Sequence, residues 1–229
     1  MRLILVAEDD ELNREVAVRY LESEGYRTVE ARDGMSALRL AREGVDLAVL
    51  DLGLPAIDGL NVIRALRGER NDLPIVVVSA RIDEVDRIVA FEAGADDYMP
   101  KPFLPRELVY RVRSLLRRAR PPGDVPRHGL VSRFGSIEID EAAREMRVDG
   151  EVVRLRPREF ALVAALAAHP GIALARRTLI DRAWGADFDG DERTVDGHIR
   201  CIRQKLDRYQ AAQGLIATIY GFGYKFAAA

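Results

Sequence analysis

The chain has 229 residues, 48% of them hydrophobic and 31% charged, the composition of a folded globular protein rather than a disordered one. A net charge of −2 excludes a uniformly basic nucleic-acid coat, and a single cysteine excludes an internal disulfide framework or a CxxC zinc site. No apolar run reaches the ~20 residues of a membrane span, and the apolar start at Leu3–Val6 is cut off by Glu8–Glu11 without a small-residue cleavage site, so a cytoplasmic protein with no membrane partner is expected.

The first half alternates two patterns. Leu3–Val6, Leu47–Leu50 and Ile75–Val78 are continuous apolar runs, as in strands buried on both faces. Arg27–Val29 and Tyr98–Met99 supply two weaker ones. Helical spacing fills the gaps, with stripes at Leu12, Val16, Tyr20; at Leu60, Ile63, Leu66; at Val85, Ile88, Val89; and at Leu108, Val112, Leu115, Leu116. Five strands alternating with five helices predict an α/β fold with a doubly wound, five-stranded parallel sheet.

From Arg117 to Gly129 the chain is rich in Arg, Pro and Gly and lacks apolar periodicity, as an interdomain linker does. Beyond it, Phe134–Ile139 alternates, and Val148–Leu155 reads as a hairpin around Asp149-Gly150. Helices are predicted from Arg158 to Ala168, from Arg177 to Trp184 and from about Glu192 to Arg208. A glycine-turned hairpin closes the chain at Thr218–Phe226. Strands, then three helices, then a hairpin predict an α+β winged helix-turn-helix.

Doubly wound sheets carry their sites beyond the carboxyl ends of the strands. Glu8 and Asp9 follow the first strand, Asp51 the third, Ser79 the fourth and Lys101 the fifth. Three carboxylates converging there repel one another unless a cation sits among them, and oxygen-only ligands suit Mg²⁺. A hydroxyl and an ammonium beside them can bind phosphoryl oxygens, and a carboxylate can be the nucleophile. Lys101 is one of three lysines in a chain that otherwise uses arginine, which points to a required point charge. It lies between two prolines, so a cis Lys101–Pro102 bond is plausible.

Glu8-Asp9-Asp10, Leu50-Asp51-Leu52, Leu54-Pro55, Asp58-Gly59, Ser79-Ala80-Arg81, Gly94–Tyr98 and Lys101-Pro102-Phe103 together resemble the receiver domain of two-component response regulators. The resemblance implies a flavodoxin-like receiver over 1–119 whose Asp51 takes phosphate from a sensor histidine kinase. It makes Asp9 a direct Mg²⁺ ligand, Glu8 a ligand through water, and the Gly53 carbonyl a further ligand. Lys101 and Ser79 would hold the phosphoryl group, with Ser79 and Tyr98 as the switch pair. It also implies a symmetric dimer through Arg87, Asp96, Asp97, Glu107, Arg111 and Arg118, with Arg87 meeting the partner's Glu107 and Asp97 meeting the partner's Arg111.

In the second half, Val195, Ile199, Ile202 and Leu206 recur at helical spacing and should face a core. That leaves Arg193, Gly197, Arg200, Cys201 and Gln204 on the opposite face, flanked by Arg203 and Lys205, as suits a DNA groove. Leu155–Leu162, Ala168–Gly171, Leu179–Gly185, Arg193–Asp196 with His198-Ile199, and Gly221–Tyr224 resemble the OmpR/PhoB-type effector domain. The whole is then a regulator with a linker at 120–129 and a DNA-binding domain at 130–229. Arg193, Thr194 and His198 would contact phosphates, Arg200 and Arg203 bases or further phosphates, and residues 185–192 RNA polymerase. Gly197, Cys201 and Tyr220 depart from the family pattern, Tyr220 standing where a wing arginine is usual.

The expected function is a phosphorylation-switched transcription regulator that dimerises on tandem half-sites and is no enzyme beyond its own phosphotransfer and dephosphorylation. Two rivals stay open: a phosphorylation-independent regulator using the receiver as a dimerisation scaffold, and a phosphatase-like phosphotransfer enzyme. The second lacks another acid shortly after Asp51 and leaves the second half unexplained.

Overall fold

The computed structural model describes residues 1–69, 72–118, 131–185, 188 and 191–227, with backbone only at 117 and 118. The linker predicted at 120–129 lies outside the described residues. The chain forms two compact units, Met1–Ala119 and Arg120–Ala229.

In the first unit β1 (Leu3–Ala7), β2 (Arg27–Ala31), β3 (Leu47–Leu50), β4 (Ile75–Ser79) and β5 (Asp97–Pro100) form a parallel sheet in the order β2-β1-β3-β4-β5. Between them run α1 (Glu11–Ser23), α2 (Gly34–Arg42), α3 (Gly59–Gly68) and α4 (Glu84–Ala93), and α5 (Pro105–Arg118) follows. The order reverses between β1 and β3, which opens a crevice beyond their carboxyl ends. The continuous apolar runs are the buried inner strands β1, β3 and β4, while the weaker β2 is the half-exposed edge. Asp10, Asp33 and Asp58 start α1, α2 and α3 by accepting the amides of Asn13, Ser36 and Asn61.

Two predicted stripes are corrected. Helix α1 buries Arg14, Ala17 and Leu21, whereas Leu12 and Tyr20 are exposed. Helix α4 buries Ala90, Phe91 and Ala93 and leaves Val85 exposed. In each, the inward arc carries one large apolar residue, Leu21 or Phe91, among alanines, with Arg14 beside them in α1, so the predicted apolar spacing marked the wrong face. The α5 stripe is buried as predicted, packing with Ile4, Val6, Val76 and Val78.

The second unit begins with an antiparallel sheet of β6 (Val131–Phe134), β7 (Ile137–Asp140), β8 (Glu145–Val148) and β9 (Glu151–Val153). The alternation at Phe134–Ile139 is two strands, divided at Gly135 where φ is 57°. Asp149 and Gly150, at φ 52° and 81°, make the predicted two-residue hairpin turn. Helices α6 (Pro157–Ala167), α7 (Arg176–Ala183) and α8 (Thr194–Leu206) follow. A second sheet pairs β10 (Ala173–Ala175) and β11 (Ile216–Ile219) on either side of β12 (Gly223–Phe226). Strand β10, three residues long, carries no periodic signal. Trp184 and Phe188 join the helices' apolar faces in one core. No helix among the described residues is long and apolar enough to cross a membrane.

Candidate functional sites

Adjacent β1 and β3 bring Glu8, Asp9 and Asp51 together, with one carboxylate oxygen of each within 4.8 Å of the others. Glu8 and Asp51 are buried and Asp9 is exposed. The Lys101 ammonium bridges the first two, 2.7 Å from Glu8 Oε2 and 2.8 Å from Asp51 Oδ2. The Lys101–Pro102 bond is cis. Burial pushes the Glu8 carboxyl up; the Lys101 hydrogen bond opposes this and the Asp51 charge reinforces it. Burial alone would lower the Lys101 ammonium, but its bonds to Asp51 and Glu8 hold it above the ordinary lysine value. Three oxygen donors around one lysine leave the cluster with more negative than positive charge, and that donor set fits a hard divalent cation such as Mg²⁺. The Gly53 amide donates to Asp51 Oδ1 at 3.1 Å, so this residue touches the acceptor through its N–H.

Ser79 is buried at the end of β4, and its Oγ accepts the Arg81 amide at 3.2 Å. Tyr98 is turned inward, its hydroxyl donating to the Arg81 carbonyl. Burial raises the Tyr98 phenol, and a hydrogen bond with Ser79 opposes the rise. The predicted switch residues therefore meet around one loop.

In the second unit Val195, Ile199, Ile202 and Leu206 face the core as predicted. The apolar arc of α8 is wider than predicted, because the helix also buries Thr194, Gly197, His198 and Cys201. Thr194 is 1% and His198 0% exposed, and the His198 ring packs 5.2 Å from Trp184. Both side chains, predicted to contact phosphates, are thus enclosed in the DNA-free chain, and Gly197 and Cys201 lie on the buried side of the helix instead of its outer face. Arg193, Arg200 and Gln204 remain exposed. Arg203 reaches across to β11, donating to the Ile216 carbonyl and Thr218 Oγ1. Asp196 accepts from Tyr224 at 2.6 Å and Arg176 at 2.8 Å, with Arg176 and Arg203 lying 5.3 and 5.6 Å from the Tyr224 ring centre. This lattice ties α7 and α8 to the hairpin β11–β12. Tyr220, at the hairpin tip, is 94% exposed and Phe222 is exposed beside it. Four residues of the 185–192 loop lie outside the described residues.

Residues 4–113 match the family model for the response regulator receiver domain, and residues 150–226 the one for transcriptional regulatory protein, C terminal. Over 97% of the chain and 92% of the relative, the sequence is 40% identical to a probable transcriptional regulatory protein of Picosynechococcus sp.. It is 38% identical to sensory transduction protein RegX3 of Mycolicibacterium smegmatis, covering 98% of this chain and 99% of that one. Among solved structures it is similar to DrrB, an OmpR/PhoB homolog of Thermotoga maritima, with a TM-score of 0.52 and 28% identity over 99% of each chain. The chain belongs to the OmpR/PhoB family of two-component response regulators. It is a transcriptional regulator made of a receiver and a DNA-binding effector domain.

In this response regulator the predicted dimer-face charges are largely spent within the chain. Asp97 and Arg111 are buried and paired at 2.7 Å, and Arg111 also binds Glu107 one helical turn away. Asp96 is buried too, accepting from Arg67 of α3 at 3.1 Å and from the Ile75 amide at 2.9 Å. In the single chain these three side chains are therefore held in internal pairs. Arg87 and Glu107 are half-buried, and the Arg118 side chain lies outside the described residues. Arg14 went unnoticed in the sequence. It is a buried guanidinium under the acidic loop, and its signal was faint: the one cation on the Arg14, Ala17, Leu21 arc.

Proposed function

We propose that this regulator is switched by phosphorylation of Asp51. One carboxylate oxygen attacks the phosphorus of a phosphohistidine on a sensor kinase. The P–N bond breaks, its electron pair leaves with the imidazole, which takes up a proton, and an aspartyl phosphate remains. The observation that carries this reading is the Lys101 ammonium seated between Asp51 and Glu8 in an acidic crevice. Lys101 is placed to follow a phosphoryl oxygen, and Ser79 to donate to another. Glu8, Asp9, Asp51 and the Gly53 carbonyl are the proposed holders of Mg²⁺, which supplies positive charge to the phosphoryl oxygens when bound.

The switch is carried by Ser79 and Tyr98 to the face of α4, β5 and α5, where Arg87, Asp96, Asp97, Glu107, Arg111 and Arg118 would rearrange into pairs between two copies. The internal Asp97–Arg111 and Asp96–Arg67 pairs must open for that exchange. Dimerisation then sets two effector domains on tandem half-sites, so that two weak contacts become one avid contact. On the DNA, Arg193 and Arg200 provide the proposed phosphate and base contacts, Arg203 braces the helix against the wing, and Tyr220 presents a ring and one hydroxyl. The proposed domains are 1–119 and 130–229, joined by 120–129. The 185–192 loop is the proposed RNA polymerase contact, and the cytoplasm is the proposed site of action.

The test is the intact mass of the full chain after incubation with Mg²⁺ and acetyl phosphate, with Asp51→Asn as control. One phosphate adduct is expected on the wild type and none on Asp51→Asn. A folded, Mg²⁺-binding wild type without an adduct would favour the phosphorylation-independent scaffold.

A further inference from the structure

Arg14 is 2% exposed. It lies on the inward arc of α1 between the helix and the loop that carries Glu8 and Asp9. Its Nη1 donates to the Glu8 carbonyl at 3.0 Å and to the Asp9 carbonyl at 3.3 Å. Its Nε donates to Glu30 Oε2 on β2 at 3.0 Å. The Glu11 carboxylate is 3.8 Å from Nη2.

Burying a guanidinium costs several kcal/mol, and an apolar side chain of similar volume is often as stable or more so. The ionic compensation here is poor, because Glu30 and Glu11 are themselves largely in solvent. The loop is also held at two further points. The Glu8 amide donates to the Ala31 carbonyl at 3.0 Å, and Asp10 caps α1 through the Asn13 amide. With the amide of Glu8 and the carbonyls of both acids tied down, the two carboxylates are turned toward Asp51, Glu8 Oε1 also accepting the Asp10 amide at 3.3 Å. Two consecutive carbonyls turned to one donor require one loop conformation, and that conformation sets the spacing of Glu8 and Asp9 against Asp51.

We infer that Arg14 is a positioning residue for the divalent-cation site, holding the acid pair in its binding geometry by gripping their backbone carbonyls. This inference rests on the proposed cation site. Two effects of Arg14 have opposite signs. Its positive charge repels a cation, so a purely electrostatic role predicts tighter Mg²⁺ binding once the charge is removed. Its grip on the loop predicts weaker binding. Outer-shell partners of ligating groups typically cost 10–100-fold in metal affinity when lost.

The experiment is calorimetric titration of Mg²⁺ into the full unphosphorylated chain, with thermal unfolding measured on each variant. Arg14→Lys keeps the charge and loses the planar fork; Arg14→Met removes both. Both are expected to weaken Mg²⁺ binding roughly tenfold. Glu30→Gln, an exposed change that loosens the anchor of Arg14, should weaken it in the same direction but less. Unchanged affinity in Arg14→Lys and Glu30→Gln with a lowered melting temperature would make Arg14 merely structural and overturn the inference. Tighter binding in Arg14→Met would overturn it as well. Should the wild type give no Mg²⁺ heat, the cation site itself fails, and the inference with it.

Discussion

Arg67 on α3, its side chain 12% exposed, shows how much one side chain can hold. Its guanidinium binds the Leu73 carbonyl at 2.8 Å, the Gly94 carbonyl at 2.9 Å and Asp96 at 3.1 Å. It thereby joins the end of α3, the entry to β4 and the loop before β5. Arg67→Met would leave a buried carboxylate and two carbonyls without their cation. A loss of about 3 kcal/mol is expected, since breaking one side of a buried pair strands the other charge. Denaturant unfolding of the receiver measures it. Tyr224 offers a second test. Burial and then the Asp196 hydrogen bond push its phenol up to about 12, against about 10 in an unfolded chain. The folded state holds that proton more tightly, so the contribution is complete below pH 10 and is lost as the pH rises through 12. Discounted for partial solvent screening, it is on the order of 1 kcal/mol. Tyr224→Phe should be less sensitive than wild type between pH 10 and 12 when unfolding is followed at both ends of that window.

Among the elements, the loop from β3 to α3 is tightly drawn. The Gly59 amide donates to the Leu52 carbonyl at 3.1 Å, and a Cβ at Gly59 would stand 2.2 Å from the Asp51 carbonyl oxygen. Gly59→Ala must move either the start of α3 or the backbone of the acceptor. It should cost about 2 kcal/mol by overpacking and slow adduct formation at Asp51, which thermal unfolding and timed mass spectra would separate. The elements also explain what could be read from sequence. Strands β1, β3 and β4 were legible because both faces are buried, so each is a continuous apolar run, broken only by Ser79 at the end of β4. Strand β10 was not, since three residues carry no period. Helix α5 has one long apolar stripe and was read correctly. Helices α1 and α4 face inward with Arg14, Ala17 and Leu21 and with Ala90, Phe91 and Ala93, arcs in which alanines and a hydrogen-bonded arginine dilute the apolar signal. The acidic site was legible because strand order alone brings Glu8, Asp9 and Asp51 to one end. The internal pairs of Asp96, Asp97 and Arg111, and the burial of Thr194 and His198, depend on packing between elements distant in sequence that no local pattern reports.

At the scale of the whole molecule, two units with separate cores should melt as two transitions. A ligand that binds only the folded form of one unit stabilises that unit alone. Mg²⁺ at one hundred times its dissociation constant contributes about 2.7 kcal/mol. Scanning calorimetry with and without Mg²⁺ should therefore raise one transition, and Asp51→Asn should reduce that rise. Trp184, the chain's one tryptophan, is packed in the effector core between Phe188 and His198. The receiver has no tryptophan and is consequently dark in tryptophan fluorescence. A change in Trp184 emission that acetyl phosphate produces in the wild type and not in Asp51→Asn would report a signal passed from one half of the chain to the other. The protein thus carries its own optical probe of communication between domains, with no label to attach.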